Sequence, residues 1–235
     1  MSGAADRPGD HRPAVAARRR EKMRRRLVEA AVFVIAAKGP GGAVIEDVVA
    51  EAGVARGTFY KYFETFGELL AEAKMALGGE LVEMVIAAEC RNEDLARTVA
   101  RDLRLFLATA QRYPLVGQFA TQMGLQGLGT GNLVHEVVPA YLARGAEQGR
   151  FLRMPQSLAV DFLQVCMIAV LRRDCAGEAP DHTAAVAALL RMLGLAAEEA
   201  EEIAVRPVAP LEAPPGSLIA RSEVVRRSRL GAGEG

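Results

Sequence analysis

Gly53-Val54-Ala55-Arg56-Gly57-Thr58-Phe59-Tyr60-Lys61-Tyr62-Phe63 is the stretch on which the reading of this chain turns. Gly53 and Val54 make a tight break, and residues 55–62 read as a short helix. At roughly 100° per residue, Phe59 and Phe63 share a face that must pack inward, while Gly57, Thr58, Tyr60 and Lys61 spread over the opposite face. Gly57 permits close backbone approach near the helix start, where free N–H groups and the helix dipole favour phosphate. Thr58, Tyr60 and Tyr62 can donate hydrogen bonds to phosphate oxygens, and a tyrosine ring can lie against a thymine methyl. Arg56 and Lys61 add charge and reach. Such a surface suits a DNA groove; by itself, the octet is equally an ordinary amphipathic helix with surface tyrosines.

The residues before it supply a context. Residues 45–52 read as a helix with Ile45, Val48 and Val49 inside and Glu46, Asp47 and Glu51 outside. Two short helices joined by a glycine turn make a helix-turn-helix, here at about 46–65. Upstream, Leu27, Ala30, Ala31, Val34 and Ile35 line one face of a helix over 18–38, which Gly39, Pro40, Gly41 and Gly42 end. Residues 1–17 lack periodicity and read as a mobile arm. Arg18, Arg19, Arg20, Lys22, Arg24, Arg25 and Arg26 stand against the single acid Glu21. This charge is unfavourable at a helix N-terminus, but near a duplex it gives salt-dependent attraction and a means of entering the minor groove. Arg24 is taken from it as a candidate DNA contact.

Downstream, every segment to residue 205 reads as helix: 65–89, 93–113, 115–124, 132–147, 156–174, 181–194 and 196–205, with a glycine-rich loop at 124–131. No strand pattern occurs, so the fold class is all-α, with a head over 18–64 and a helical body over 65–205. Gly78 and Gly79 are candidate bend points in the fourth helix. The segment 206–235, with four prolines and a Ser/Arg-rich end, reads as a disordered tail. The helix at 156–174 is apolar on all faces and must be covered all round. The next helix presents Ala184, Ala187 and Ala188 for close approach. A homodimer through 156–174 and 181–194 follows. Phe106, Phe119, Met123, Tyr141, Phe162 and Cys166, with Met167, can line a mostly apolar cavity, and Gln118 and Gln122 can give it polar contacts. For each of these, ordinary core packing is the competing reading.

Composition narrows the classes. The 235 residues are 51% hydrophobic, enough for a sizeable core. The 29 basic and 29 acidic side chains sum to zero, but the sum hides a polarity: residues 1–62 carry 12 basic and 7 acidic groups, and residues 63–235 carry 17 and 22. No run suits a membrane span or a secretory leader, so a cytoplasmic location is expected. Cys90, Cys166 and Cys175 are odd in number and far apart, and read as small buried residues rather than a disulfide framework. His11, His135 and His182 are scattered, and Gly127-x-Gly129-x-Gly131 follows a helix, so neither a metal, a cofactor nor an enzyme is expected.

The opening stretch, together with Ala30-Ala31 and Gly39, Val48 and Ala52-Gly53, and Leu69-Leu70, resembles the TetR family of transcriptional regulators over residues 27–70. That resemblance implies a homodimeric repressor with a three-helix DNA-binding domain and a C-terminal domain for ligand binding and dimerisation. It also implies a palindromic double-stranded operator, read by Arg56, Gly57, Thr58, Tyr60, Lys61 and Tyr62, and a small-molecule effector. Three positions depart from the family. Val44 and Ala55 stand where hydroxyl residues usually cap the second and third helices, each absent cap costing about 1 kcal/mol. Phe66 replaces a common lysine. These departures leave open a different class, a helical small-molecule-binding or protein-interaction dimer without sequence-specific DNA binding.

Overall fold

The computed structural model describes residues 12–88, 94–128 and 133–232, and no strand occurs among them. The helices are α1 (Arg12–Lys38), α2 (Ile45–Glu51), α3 (Arg56–Phe59), α4 (Phe66–Ala87), α5 (Leu95–Arg112), α6 (Pro114–Met123), α7 (Leu133–Glu147), α8 (Gln156–Cys175), α9 (His182–Met192), α10 (Ala197–Ala204) and α11 (Leu218–Ala232). A 3-10 turn, Gly124–Gly127, lies in the described part of the expected loop.

Two apolar clusters organise these elements. The first joins α1, α2 and the recognition segment to α4, α6 and the start of α11, with Leu27, Ile35, Phe59, Phe63 and Leu69 at its centre. The second gathers α5 and α7 to α10 around Leu107, Leu163, Leu171, Leu190 and Ile203. Helix α4 borders both halves, packing on α1 at one end and on α5 and α7 at the other. Asp94 caps α5 by accepting from the N–H groups of Ala96 and Arg97 at 3.1 and 3.2 Å. The same carboxylate takes two bonds from Arg150, whose guanidinium also grips Glu199 of α10 at 2.7 and 3.0 Å.

Several expectations need correction. Helix begins at Arg12, so residues 12–17 continue α1 instead of forming an irregular arm. Alanine and arginine are strong helix formers, and Pro13 is tolerated in a first turn; residues 1–11 lie outside the described set. The helix expected over 55–62 closes after Phe59, and Tyr60 to Tyr62 continue as a tight turn in which Lys61 and Tyr62 donate to the carbonyls of Thr58 and Phe59. Cys166 and Cys175 are exposed rather than buried, and Cys90 is outside the described residues.

The largest correction concerns the segment expected to be a disordered tail. Leu211 and Ala213 donate their N–H groups to Thr109 Oγ1 and the Tyr113 hydroxyl, at 3.1 and 2.9 Å, which lays the segment along α5. Helix α11 then starts on α4: the Glu80 carboxylate accepts from the N–H groups of Leu218 and Ile219 at 2.6 and 2.9 Å. Leu218 and Ile219 are buried in the head cluster. Arg221 pairs with Glu29 of α1 at 3.2 Å, and Arg229 pairs with Glu51 of α2 while covering the Phe33 ring at 4.4 Å. The inner face of α11 holds Ser222 and Glu223 beside Leu218 and Ile219. Half of that face is polar, so no apolar period marks it in the sequence.

Candidate nucleic-acid interface and the cavity behind it

The turn between α2 and α3 is built by Gly53, whose φ of +60° is left-handed backbone that favours glycine. Its N–H bonds the Ala50 carbonyl at 3.0 Å and Val54 N–H bonds Val49 at 2.9 Å, which reverses the chain in two residues. A methyl group at Gly53 would also meet the Arg26 guanidinium at 3.0 Å. Phe59 and Phe63 are 0% and 1% exposed, with ring centroids 5.9 Å apart, and they seat the recognition segment on the head core.

On the outer side, Arg56, Gly57, Tyr60 and Lys61 are exposed, and Thr58 and Tyr62 are half-buried. A methyl group added at Gly57 would find nothing within 4 Å, so this turn of backbone is open to a close neighbour. Tyr60 stacks edge-on to Phe59 at 5.3 Å and accepts a hydrogen bond from Arg56 Nη2 at 3.3 Å. Arg56 also pairs with Glu46 of α2 at 2.5 Å, and the bond to Tyr60, then this acid, hold the guanidinium pKa above its ordinary value. Arg18, Arg19, Arg20, Lys22, Arg25 and Arg26 are exposed along α1. They are carried on a rigid helix, not on an extended arm.

Arg24 is different from its neighbours. Its guanidinium donates to Glu72 of α4 and to the Tyr62 carbonyl at 2.9 Å, and covers the Phe63 ring at 4.4 Å. Glu72, and behind it Glu68, raise its pKa. Arg24 therefore clamps α1 to α4 beneath the recognition segment, and its donors are turned inward rather than toward a duplex.

The departures at the caps are partly offset. Val44 offers no side-chain acceptor at the start of α2. Asp47, however, accepts from the Val44 N–H at 3.2 Å and from Lys38 Nζ at 2.6 Å, and the lysine, then this N–H, lower its pKa. Ala55 has no such substitute. Thr65 caps α4 by accepting from Glu68 N–H at 3.1 Å, and Glu68 reciprocates by accepting from Glu64 N–H at 2.8 Å. Phe66, partly buried, packs against the head core.

Behind α4 lies a cavity of about 260 Å³, walled by α4, α5, α6, α7 and α8. Phe106, Phe119, Met123 and Tyr141 line it as the sequence suggested, and Met167 joins them. The other four candidates do not. Gln118 and Gln122 are exposed on the outer side of α6, and Gln122 reaches back to Gly39 at the end of α1. Phe162, 45% exposed, and Cys166 are on the outer side of α8, whose inner side presents Val160, Leu163, Gln164 and Met167. A helix apolar all round does not reveal which side faces inward: of its three expected lining residues, Met167 is inside and Phe162 and Cys166 are outside.

The polar lining comes from Lys74, Asp102, Tyr141 and Gln164. Three of these were missed, yet each interrupts a helical stripe. Lys74 shares a face with Leu77, Gly78, Leu81 and Val85; Asp102 with Val99, Leu103 and Phe106; Gln164 with Val160, Leu163, Met167 and Ile168. A lone polar residue inside an apolar stripe was the available signal. Gly78 lies at the cavity wall with nothing within 4 Å of an added methyl, while Gly79 is buried and α4 runs through both as helix.

Comparison with known proteins fits this geometry. Residues 27–73 match the family described as "Bacterial regulatory proteins, tetR family", and residues 94–206 match "Tetracyclin repressor-like, C-terminal domain". Among curated protein sequences no relative matches. Among solved structures, RolR in complex with resorcinol is 29% identical, with a TM-score of 0.61, covering 83% of this chain and 100% of that one. A tetR family transcription regulator from Shewanella sp. PV-4 is 18% identical with a TM-score of 0.63, covering 74% and 99%. Another from Marinobacter aquaeolei VT8 is 17% identical with a TM-score of 0.56, covering 79% and 97%. The residues that build the head, the helical body that follows it and these matches lead to one assignment: the chain belongs to the TetR family of bacterial transcriptional regulators, with an N-terminal helix-turn-helix DNA-binding domain.

Proposed function

We propose that this regulator is a homodimeric repressor, released from a palindromic operator when a small, mostly apolar molecule enters the cavity behind α4. One observation carries the reading: α4 belongs to both sites. Its first turns, through Glu72, hold Arg24 beneath the recognition segment, and its later turns, from Lys74 to Ile86, wall the cavity. A ligand that displaces α4 therefore displaces the reading head. Arg56, Gly57, Thr58, Tyr60 and Lys61 are the proposed contacts to DNA, with Tyr62 at their edge and the exposed cations of α1 supplying attraction to phosphate. Arg24 is reassigned from contact to support.

The dimer is drawn through α8 and α9. Leu158, Phe162, Val165 and Cys166 leave an exposed apolar stripe on α8, and Ala184 and Ala188 leave a flat one on α9. Two copies facing each other across a two-fold axis cover both. The effector is read as a small ring compound, from the size and apolar walls of the cavity and from the resorcinol that the similar RolR holds.

The test is selection of bound fragments from random DNA, followed by affinity measurements on the selected site. A palindrome is expected, bound at least tenfold more weakly by Tyr60→Ala and Lys61→Ala proteins that still sediment as dimers. Sequence-blind binding of unchanged affinity in both variants rejects the proposed reading head and favours the non-DNA alternative.

A further inference from the structure

Among the described residues, the acid and the cation of the cavity wall are not paired with each other. Asp102 is the acid of the wall, and it is held by its neighbour Arg101, whose Nε and Nη2 donate to Oδ1 at 3.2 and 2.9 Å. Lys74 is the cation of the wall. Among the described residues its ammonium reaches only the Leu128 carbonyl, at 3.5 Å, which is a weak bond at best. Among those residues no carboxylate pairs with it. Arg24, Arg56, Arg150 and Arg226 each have acids beside them that raise their pKa values, whereas burial alone acts on Lys74 and lowers its own.

An ammonium facing apolar walls without a counter-charge is costly, because the charged form has lost water and gained nothing in return. A methionine or leucine at 74 would continue the stripe of Leu77, Leu81 and Val85 at no such cost. The group that satisfies a half-buried cation best is an anion brought in by the ligand. A cavity of about 260 Å³ with aromatic and aliphatic walls takes a body of one or two rings. We propose that the effector is an organic carboxylate on such a ring body, and that Lys74 is its counter-ion.

This proposal rests on the effector-cavity reading above and adds to it the charge and the residue. Lys74 binds in two ways at once, by charge and by up to three donated hydrogen bonds, whereas a carboxamide of the same shape keeps only the second. Because Lys74 is on α4 two residues beyond Glu72, the acid that holds Arg24, an anion drawn to it acts on the turn that anchors Arg24.

The experiment is calorimetric titration of the full chain with benzoate and naphthoate, and with benzamide and naphthamide as neutral partners of the same shape. The carboxylates are expected to bind at least tenfold more tightly than their amides. Lys74→Met is expected to erase that preference without weakening the amides, and Lys74→Arg to retain it. Equal affinity for acid and amide in the unmodified protein, or a preference that persists in Lys74→Met, overturns the anion assignment and leaves the cavity reading intact. Failure of both series and of resorcinol to bind removes the cavity reading and this proposal with it.

Discussion

In the head, Phe59, Phe63, Leu27 and Leu69 are almost wholly buried and α1, α2 and the recognition segment close on one another around them. In the body, a comparable supply of apolar side chains leaves a cavity behind α4 and an uncovered stripe on α8. The head needs one geometry, since a groove reader shifted by an ångström loses its contacts. The body needs room for a guest and a face for a partner. Close packing in one region and incomplete packing in the other are thus two requirements met within one chain.

The sharpest way to break the comparison is to open a hole in the head. Phe59→Ala is expected to cost about 3–5 kcal/mol, seen as a fall in the urea midpoint together with loss of operator binding. A variant of unchanged stability would mean that the head is not the rigid half. Ile219→Ala tests whether α11 belongs to the head: burial at 1% predicts a cost of about 2–4 kcal/mol, and an effect below the error of the measurement would return this segment to a loose tail. Gly78→Leu probes the body instead. It is expected to abolish ligand binding by calorimetry while moving the melting temperature little, because the added side chain enters empty space. A large destabilisation would show that the space is not available.

These regions also differed in how far they were legible from residues alone. The helix-turn-helix was readable because Gly53, Phe59 and Phe63 act over a few positions, where a left-handed turn and a four-residue spacing leave few alternatives. The number and order of the body helices were readable from apolar periodicity, which needs only neighbours along the chain. Facing was not. Phe162 and Leu163 are adjacent and equally apolar, and only the packing of other helices on α8, foremost α6 and α7, decides which one turns inward. Helix α11 was illegible for a related reason: its buried Glu223 is made tolerable by Arg226 and Arg227, three and four residues on, at 2.6 to 2.8 Å. Local charge pairing there replaces the apolar pattern that marks other helices.

Two smaller changes sharpen the contrast. Val44→Thr restores a hydroxyl acceptor at the start of α2 and is expected to stabilise the head by about 0.5–1 kcal/mol, read from the urea midpoint. No gain would mean that Asp47 already does the capping. In the body, the Asp94 and Glu199 carboxyls are both held below their ordinary values, first by their hydrogen bonds to Arg150. Groups with depressed folded-state pKa values contribute fully above their unfolded values and lose that contribution as pH falls through the folded ones. Melting temperature is therefore expected to be flat near neutrality and to decline below about pH 4, with a shallower decline in Arg150→Met. The same slope in both proteins would exclude this cluster as the source.

The route of α11 has a practical consequence. Through Arg229, its last turns lie beside Glu51 of α2 and Phe33 of α1 in the DNA-binding head, not beside the cavity or the α8 face. Anything attached to the exposed side of these turns, near Arg229, is held against the DNA-binding head. A purification tag or reporter placed there becomes a variable in every operator measurement. Fluorophores meant to report on the DNA-binding head, by the same geometry, have a natural attachment point on the last turns of α11.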